Sequence, residues 1–520
     1  MGKVLSIFEV SQKQAYIFGV NKLKENIRRS AEIAKITSTE YIENVAGPMF
    51  LGEENLVYSG GGHIILEFND ASIDKALEKS KSVTEKMTGK ILRDLPEIEF
   101  FAASTVYEED KTPGENVKNL IAALERKKSV RRSVFHQYSF GVEVINTDTG
   151  LPRAADSQKT DSDMALKEEV SEAPEGFAYT SSFDRLGGSK NDKNFIAIVH
   201  IDGNAMGKQV EKISEEFKAG EWEEYKNKMQ EFSNGISRDY SAAYKVVEDT
   251  VAKNIREGNL SALDLTGDEG KTYLPVRRII NEGDDICFVS EGRIGLECAA
   301  VMLRALGERG YAACAGVALV HQKYPFYKAY ELAEELCSNA KRLGVQLAGT
   351  GSEDGPKLSS IDWHVEYGEI QDSLEDTRKM YFTRDKKHLE LRPYIVETPL
   401  APEYLLEKEQ RRRYKNFKKL TLCMIQQEDF YGRSVLKGLR PVLKQGETAL
   451  TQYLTVHKIT DLGRDAYYGI FEDIDYSGLQ SNSGKQAERK YFVETSDGEE
   501  RSVIFDAIEI MDVFLPMGGE

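Results

Sequence analysis

The chain has 520 residues, 40% hydrophobic and 30% charged, with only 13 prolines; 69 Lys and Arg against 86 Asp and Glu leave a net charge of −17. This length exceeds the ~250–300 residues that one core serves and calls for about two to four domains, and the composition excludes a disordered chain. The acidic balance excludes broad coating of nucleic acid, which needs many cations on phosphates, and no apolar run approaches the ~18–20 residues of a membrane span.

The first ten residues, MGKVLSIFEV, carry one early Lys and no extended apolar core before a small-residue cleavage site. No secretion signal is expected, and the protein is placed in the cytoplasm. Cys287, Cys298, Cys314, Cys337 and Cys423 stand singly in apolar segments without a CxxC pair, as reduced core residues do.

Residues 4–10 read as a strand and 22–45 as mostly helical. Strands at 55–58 and 63–68 are joined by Ser59-Gly60-Gly61-Gly62, where successive glycines permit positive φ. Ile73, Ala76, Leu77, Val83, Met87 and Ile91 mark a helix of period near 3.6, and 97–107 returns to strand. The order is β-α-β-β-α-β, a ferredoxin-like or palm arrangement.

That order recurs after residue 193: a buried strand at 195–201, helices through 206–255, strands at 273–280 and 286–290 around the turn 281–285, a helix through Ile294, Cys298, Val301, Met302 and Ala305, a strand at 312–320 and a helix at 327–343. The fold class expected is therefore α+β, with two palm units in a pseudo-symmetric arrangement and a ligand site at their seam. Residues 1–145 form the first unit, 146–193 a Gly-, Ser-, Asp- and Lys-rich linker, 194–345 the second unit, and 346–520 a separate, mainly helical domain with a short hairpin at Asp497-Gly498.

The chemistry concentrates where one strand ends in His200-Ile201-Asp202-Gly203-Asn204-Ala205-Met206-Gly207 and the next hairpin reads Glu282-Gly283-Asp284-Asp285. In a palm sheet these strands are neighbours, so carboxylates about 80 residues apart converge on a pair of divalent ions suited to phosphoryl transfer. The metal set is Ile201, Asp202, Asp284 and Asp285, and the all-oxygen donors suit magnesium or manganese. Asp284 is the better ligand; Asp285 is a second ligand or the acceptor of the attacking hydroxyl's proton, both aspartates serving because both lie on the turn. Gly203, Asn204, Met206, Gly207 and Gly283 let backbone approach phosphate oxygens. Lys341 is either a triphosphate clamp or a solvated helix-end cation. In the first unit Glu9 takes the place of Asp202 and the hairpin has no acid, so that half is non-catalytic; Ser59, Gly60, Gly61 and Gly62 either cradle an acceptor nucleotide or serve only the turn.

Asp202-Gly203-Asn204 with Met206-Gly207, the Glu282 to Asp285 hairpin, Cys314-Ala315-Gly316-Val317-Ala318 before Tyr324-Pro325, and Ala333-Glu334-Glu335-Leu336 through Ala340-Lys341 resemble the catalytic palm of the large subunit of type III CRISPR effector complexes. Gln14-Ala15-Tyr16-Ile17-Phe18, Asn21-Lys22-Leu23-Lys24 and Tyr58 to Gly62 resemble that family's first, degenerate palm. The resemblance spans roughly residues 1–110 and 190–345. It implies synthesis of cyclic oligoadenylates from ATP, one ATP on each palm, in antiviral defence, with other effector subunits and guide or target RNA as partners. The chain departs from the family at Glu282, where glycine is usual, and it lacks a His-Asp dipeptide and an inter-palm cysteine cluster, so neither the nuclease module nor the zinc site is expected. Diguanylate (GGDEF) cyclases share the same palm logic, which leaves the base and ring size open. A second class of reading is a non-catalytic scaffold that docks RNA or protein through Lys408, Arg411, Arg412, Arg413, Lys415, Lys418 and Lys419, interleaved with Tyr414 and Phe417.

Overall fold

The structure is a computed structural model, and it describes residues 2–47, 50, 52–130, 142, 173–186, 194–267, 270–348, 356–368, 373–384, 387–459, 491–495 and 498–518. The expected linker, 146–193, lies outside the described residues except for 173–186, and Asp497 at the C-terminal hairpin's tip lies outside them too.

The N-terminal part is a four-stranded antiparallel sheet. Its elements are β1 (Gly2–Ser11), α1 (Lys13–Phe18), α2 (Leu23–Ile36), α3 (Thr39–Ala46), β2 (Leu56–Gly60), β3 (His63–Asp70), α4 (Ile73–Asp94) and β4 (Glu99–Val106), and the strand order is β2-β3-β1-β4. The helix expected over 22–45 is two, because Ser38 caps the second through the Tyr41 N–H. One further helix, α5 (Pro113–Ser129), starts on a capping box: Thr112 accepts from the Glu115 N–H, Glu115 accepts from the Thr112 N–H, and Pro113 occupies the first turn. Thr112→Ala is expected to cost about 1 kcal/mol of stability, read by chemical denaturation, because it strands that donor.

The second sheet has six strands. After β5 (Phe195–Gly203) come α6 (Met206–Glu216), α7 (Trp222–Arg256), β6 (Val276–Glu282), β7 (Asp285–Glu291), α8 (Gly295–Glu308), β8 (Ala313–His321) and α9 (Phe326–Ala348), followed by β9 (Ser359–Val365), α10 (Leu374–Tyr381) and β10 (Tyr394–Val396). The order is β10-β9-β8-β5-β7-β6, so β8-β5-β7-β6 repeats the arrangement of the first sheet. The chain beyond 345 is less separate and less helical than expected. It supplies β9, parallel to β8 through the crossover helix α9, and then β10 at the edge, besides a small ribbon that includes the hairpin strands Phe492–Glu494 and Glu500–Ser502. Its helices share one hydrophobic core with β5, β8 and α8.

Helix α7 ties the two sheets together. Its first half buries Trp222, Tyr225 and Met229 against the first sheet, and its second half buries Tyr240, Tyr244, Val247 and Val251 against the second. Polar contacts set its register along β2 and β3. Trp222 Nε1 donates to Glu67 (2.7 Å), Lys226 Nζ to Glu67 and to the Glu54 carbonyl (2.7 Å), Gln230 Nε2 to the Leu56 carbonyl (2.7 Å) and Ser233 Oγ to the Ser59 carbonyl (2.5 Å). A second shared core packs α1, α2 and α4 with β5, β7 and α9. Among the described residues no helix is long and apolar enough to cross a membrane.

Candidate active site

The site begins where β5 runs out. Asp202 is paired directly with Asp285 on β7 and with Cys314 on β8, so Asp202 and Asp285 share one face of the sheet. From α9, which covers that face, Lys341 Nζ reaches Asp202 Oδ2 at 2.5 Å and the Gly203 carbonyl at 3.2 Å. The β6–β7 hairpin closes at the pair Glu282 and Asp285, leaving a two-residue loop, Gly283-Asp284, in which only Gly283 has positive φ (67°). Here the structure corrects the sequence reading: Asp284 alone is on the turn. Asp285 is the first residue of the ladder, and its Oδ1 lies 3.4 Å from Nδ1 of His200, two residues before Asp202 on the same face.

The first sheet brings its own hairpin tip to this place. Gly60 pairs with His63, so Gly60 belongs to the strand and the loop is Gly61-Gly62, both with positive φ (59° and 74°). Glycine is required at both for that reason, and a Cβ on Gly62 would lie 2.4 Å from the Lys13 side chain. Lys13 Nζ donates to the Gly61 carbonyl, and a Cβ built on Gly283 would lie 4.0 Å from the Gly61 nitrogen. The two glycine loops therefore face each other across the seam between the sheets. Ser59 is committed to structure: its Oγ donates to the Thr37 carbonyl (3.3 Å), and its own carbonyl accepts from Ser233.

The electrostatics mark Asp284 as the unusual group. Burial and then the charge of Asp202 push its carboxyl up, against Lys341 and Lys13, which pull it down. Burial works against the Lys341 ammonium, but the charge and hydrogen bond of Asp202 outweigh it and raise its pKa. Burial lowers His200 and keeps it neutral. Two tyrosines flank the acids: Tyr58 is pushed up to about 12 by burial and then by Asp284, and Tyr240 is raised well above its usual range by burial, Asp284 and Asp202. Among the described residues no group of three or more His, Cys, Asp or Glu side chains is placed to hold a metal ion. Of the expected set of four, Asp285 lies beside His200, and Ile201, its side chain buried in the core, has only its backbone carbonyl to offer. The donor chemistry nevertheless fits the usual magnesium mode, in which one or two carboxylates act together with substrate phosphates. Asp284 feels the charge of Asp202, so the two carboxylates stand close enough to interact.

The remaining candidates divide. Gly203 is needed, since a Cβ there would lie 2.5 Å from the Tyr240 hydroxyl. Asn204 faces away from the acids: its Nδ2 donates to the Leu358 carbonyl (2.9 Å) and its Oδ1 accepts from Cys314, so it locks β9 in place. Met206 is a core residue, while Gly207 is exposed in the first turn of α6. The basic run 408–419 is not a continuous RNA-facing surface. Arg412, Tyr414, Phe417 and Lys418 are buried, with Tyr414 on Glu297 (2.8 Å) and Lys418 on Glu297 (2.7 Å), so the aromatics are unavailable for stacking. Sequence reasoning missed Lys13, Tyr58, His200 and Tyr240. His200 was within reach of it, two residues before Asp202 on a strand of period two; the other three meet the acids only through the tertiary fold.

The first sheet carries a faded version of the same pairing. Glu9 is opposite His63, as Asp202 is opposite Asp285, and Glu9 is met by Lys128 Nζ (2.5 Å) from α5, the helix that follows β4 as α9 follows β8.

No protein-family model matches the chain, and no curated protein sequence matches it. Solved structures do. The chain is similar to one in a Csm1-Csm4 cassette in complex with pppApApA (TM-score 0.51, 14% identity, covering 99% of this chain and 70% of that one). It is also similar to chains in the apo cassette (TM-score 0.43, 17%, 66% and 53%) and in the cassette with cA4 (TM-score 0.45, 15%, 71% and 55%). It thus spans about half the length of the latter two chains, 53% and 55%. At 14% identity, the likeness to the pppApApA-bound cassette is one of fold.

Proposed function

We propose that the chain is a nucleotidyltransferase that condenses ATP into cyclic oligoadenylates with release of pyrophosphate, as a large-subunit-like component of a type III CRISPR effector. The observation that carries this reading is the meeting of the loops Gly283-Asp284 and Gly61-Gly62 beside the Asp202 to Lys341 pair. Repetition of the four-strand order, and of an acid met by a lysine from the following helix, supports reading 1–145 as a degenerate palm and 194–345 as a catalytic palm whose sheet the chain beyond 345 extends. The pppApApA in the cassette whose match covers 99% of this chain is what favours adenylate over guanylate, and its Csm4 favours a second effector subunit as partner.

In this reading Asp202 and Asp284 hold magnesium or manganese together with the nucleotide's phosphates. Such an ion, when bound, would supply charge neutralisation of the triphosphate and acidification of the attacking ribose hydroxyl. Lys341 holds Asp202 in place and presents a fixed positive charge to the phosphates. Gly203, Gly283, Gly61 and Gly62 keep side chains out of the seam, so backbone N–H groups can approach phosphate oxygens. Asp285, held in the ladder opposite Asp202 and beside His200, is the carboxylate available to take the hydroxyl proton.

The test is to incubate the purified protein with each of the four nucleoside triphosphates and Mg²⁺ or Mn²⁺, measuring pyrophosphate and identifying products by mass spectrometry. Cyclic oligoadenylate is expected. Linear or guanine-containing products, or no turnover with any nucleotide, would count against the reading. Lys341→Met, which keeps the length but removes the charge, is expected to raise KM for the nucleotide about tenfold, the worth of one charge-assisted contact, with a smaller change in kcat.

A further inference from the structure

We propose that a second, metal-independent site for a phosphate-bearing ligand of nucleotide size lies in the cavity between α9, α10 and the residues leading into β10. The cavity, about 570 Å³, is within the range of small-molecule pockets and is lined by Arg342, Arg378, Lys379, Arg392, Arg412 and Arg501 against two acids, Glu375 and Glu390. None of the acids of the candidate active site lines it.

The cations fall into two groups. Arg378, Arg392 and Arg412 form a fixed wall. Arg378 makes a bidentate pair with Asp362 (2.8 and 2.9 Å), Arg392 is held by Asp506 (3.2 Å) and Glu509, and Arg412 donates to the Leu391 carbonyl (2.6 Å). Asp362, Asp506 and Glu509 do not line the cavity, so positive groups form its wall and the negative ones stand behind them. Buried donors of that wall, Nε of Arg378 and both Nε and Nη2 of Arg392, have no hydrogen-bond partner among the described residues. At the mouth, Arg342 and Lys379 are exposed, and neither forms an ion pair among the described residues; Arg342 donates to Asn339 on its own helix (3.1 Å).

A rigid arginine wall with two uncommitted cations at the rim suits the charge and geometry of a phosphate chain. Leu343, Leu374 and Pro393 add apolar surface, and Asn339 and Gln346 add amides, as a base and sugar require. Metal independence separates this site from the carboxylate pair, which must repel phosphate without a bridging cation.

Titration calorimetry in EDTA with tripolyphosphate, ATP and a 5′-triphosphorylated linear triadenylate tests the proposal. Saturable binding that weakens with salt is expected, unchanged in Asp202→Asn and at least about tenfold weaker in Arg342→Glu with Lys379→Glu. Tripolyphosphate binding as tightly as ATP assigns recognition to the phosphate chain, and tighter ATP or triadenylate assigns it to a free nucleotide or an oligonucleotide end. Both reversals are on exposed side chains, and the thermal midpoint, with Lys379→Glu as the milder variant, checks folding. No saturable binding in EDTA, or binding that the double variant retains, overturns the proposal.

Discussion

Asp284→Ala is expected to lower metal-dependent pyrophosphate release by at least about a thousandfold, the rate equivalent of about 4 kcal/mol, while leaving the fold intact. The expectation comes from position. Asp284 sits in a two-residue loop rather than a ladder, so no strand pairing depends on it. Burial and Asp202 both disfavour its ionised form, so removing the carboxyl relieves repulsion in the metal-free protein, and the thermal midpoint should hold or rise. Asp285→Asn, which removes the carboxylate read as proton acceptor but keeps its shape in the ladder, should cost less, about a hundredfold in kcat. Steady-state kinetics and thermal unfolding of both variants decide the matter. Equal losses for the two would restore the view that both acids act from the turn; activity that survives Asp284→Ala, or loss that accompanies unfolding, would remove Asp284 from the chemistry.

How much of this could be read beforehand depends on whether local pattern or distant contact sets each feature. Both β-α-β-β-α-β orders were legible because their strands are apolar runs punctuated by glycine loops, and Asp202 was legible because it ends such a strand. The distinction between Asp284 and Asp285 was not, since it rests on whether the hairpin closes with a two- or a five-residue turn, a matter of register. Helix α5 went unread although Thr112-Pro113-Gly114-Glu115 spells out its start. Strand β9 was hidden by its own composition: Ser359, Ser360, Asp362 and His364 look like loop residues, yet all are buried. Asp362, for example, is neutralised by Arg378. The basic run 408–419 misled for the converse reason, because charge on a helix says nothing of which cations the fold turns inward. Lys13 reaches Asp284 across 271 residues of sequence and Tyr240 across 44, distances no periodicity spans.

The buried arginine at the centre of the cavity wall, Arg392, should be the costliest single loss to stability. Arg392→Met is expected to destabilise the fold by about 3–5 kcal/mol, because it removes the cation shared by three buried carboxylates. Those are Asp506 (3.2 Å), Glu509 and, more distantly, Asp362 (3.9 Å). The three are unequal. Asp362 keeps Arg378 and Glu509 keeps Arg440 (3.5 Å), whereas Asp506 is left with only the hydrogen bonds of the Leu391 and Arg392 N–H groups and the Tyr394 hydroxyl. The pH dependence follows from the signs. Burial already raises Asp506 to about 6 in spite of Arg392, so its contribution to stability is full below its unfolded pKa near 4 and is lost as pH rises through 6. For Glu509 burial works upward, but Arg392 and Arg440 outweigh it and lower its pKa, so its contribution is present above the unfolded value and is lost as pH falls. Taking Arg392 away makes ionised Asp506 costlier and weakens the support of Glu509, and both effects shrink once the acids are protonated. Denaturation of wild type and Arg392→Met at pH 8 and pH 5 should show a gap that narrows at the lower pH, with Arg392→Lys recovering part of it at pH 8. A gap that is the same at both would mean that Arg392 stabilises through its packing on Trp363 and Phe382 rather than as a counter-ion.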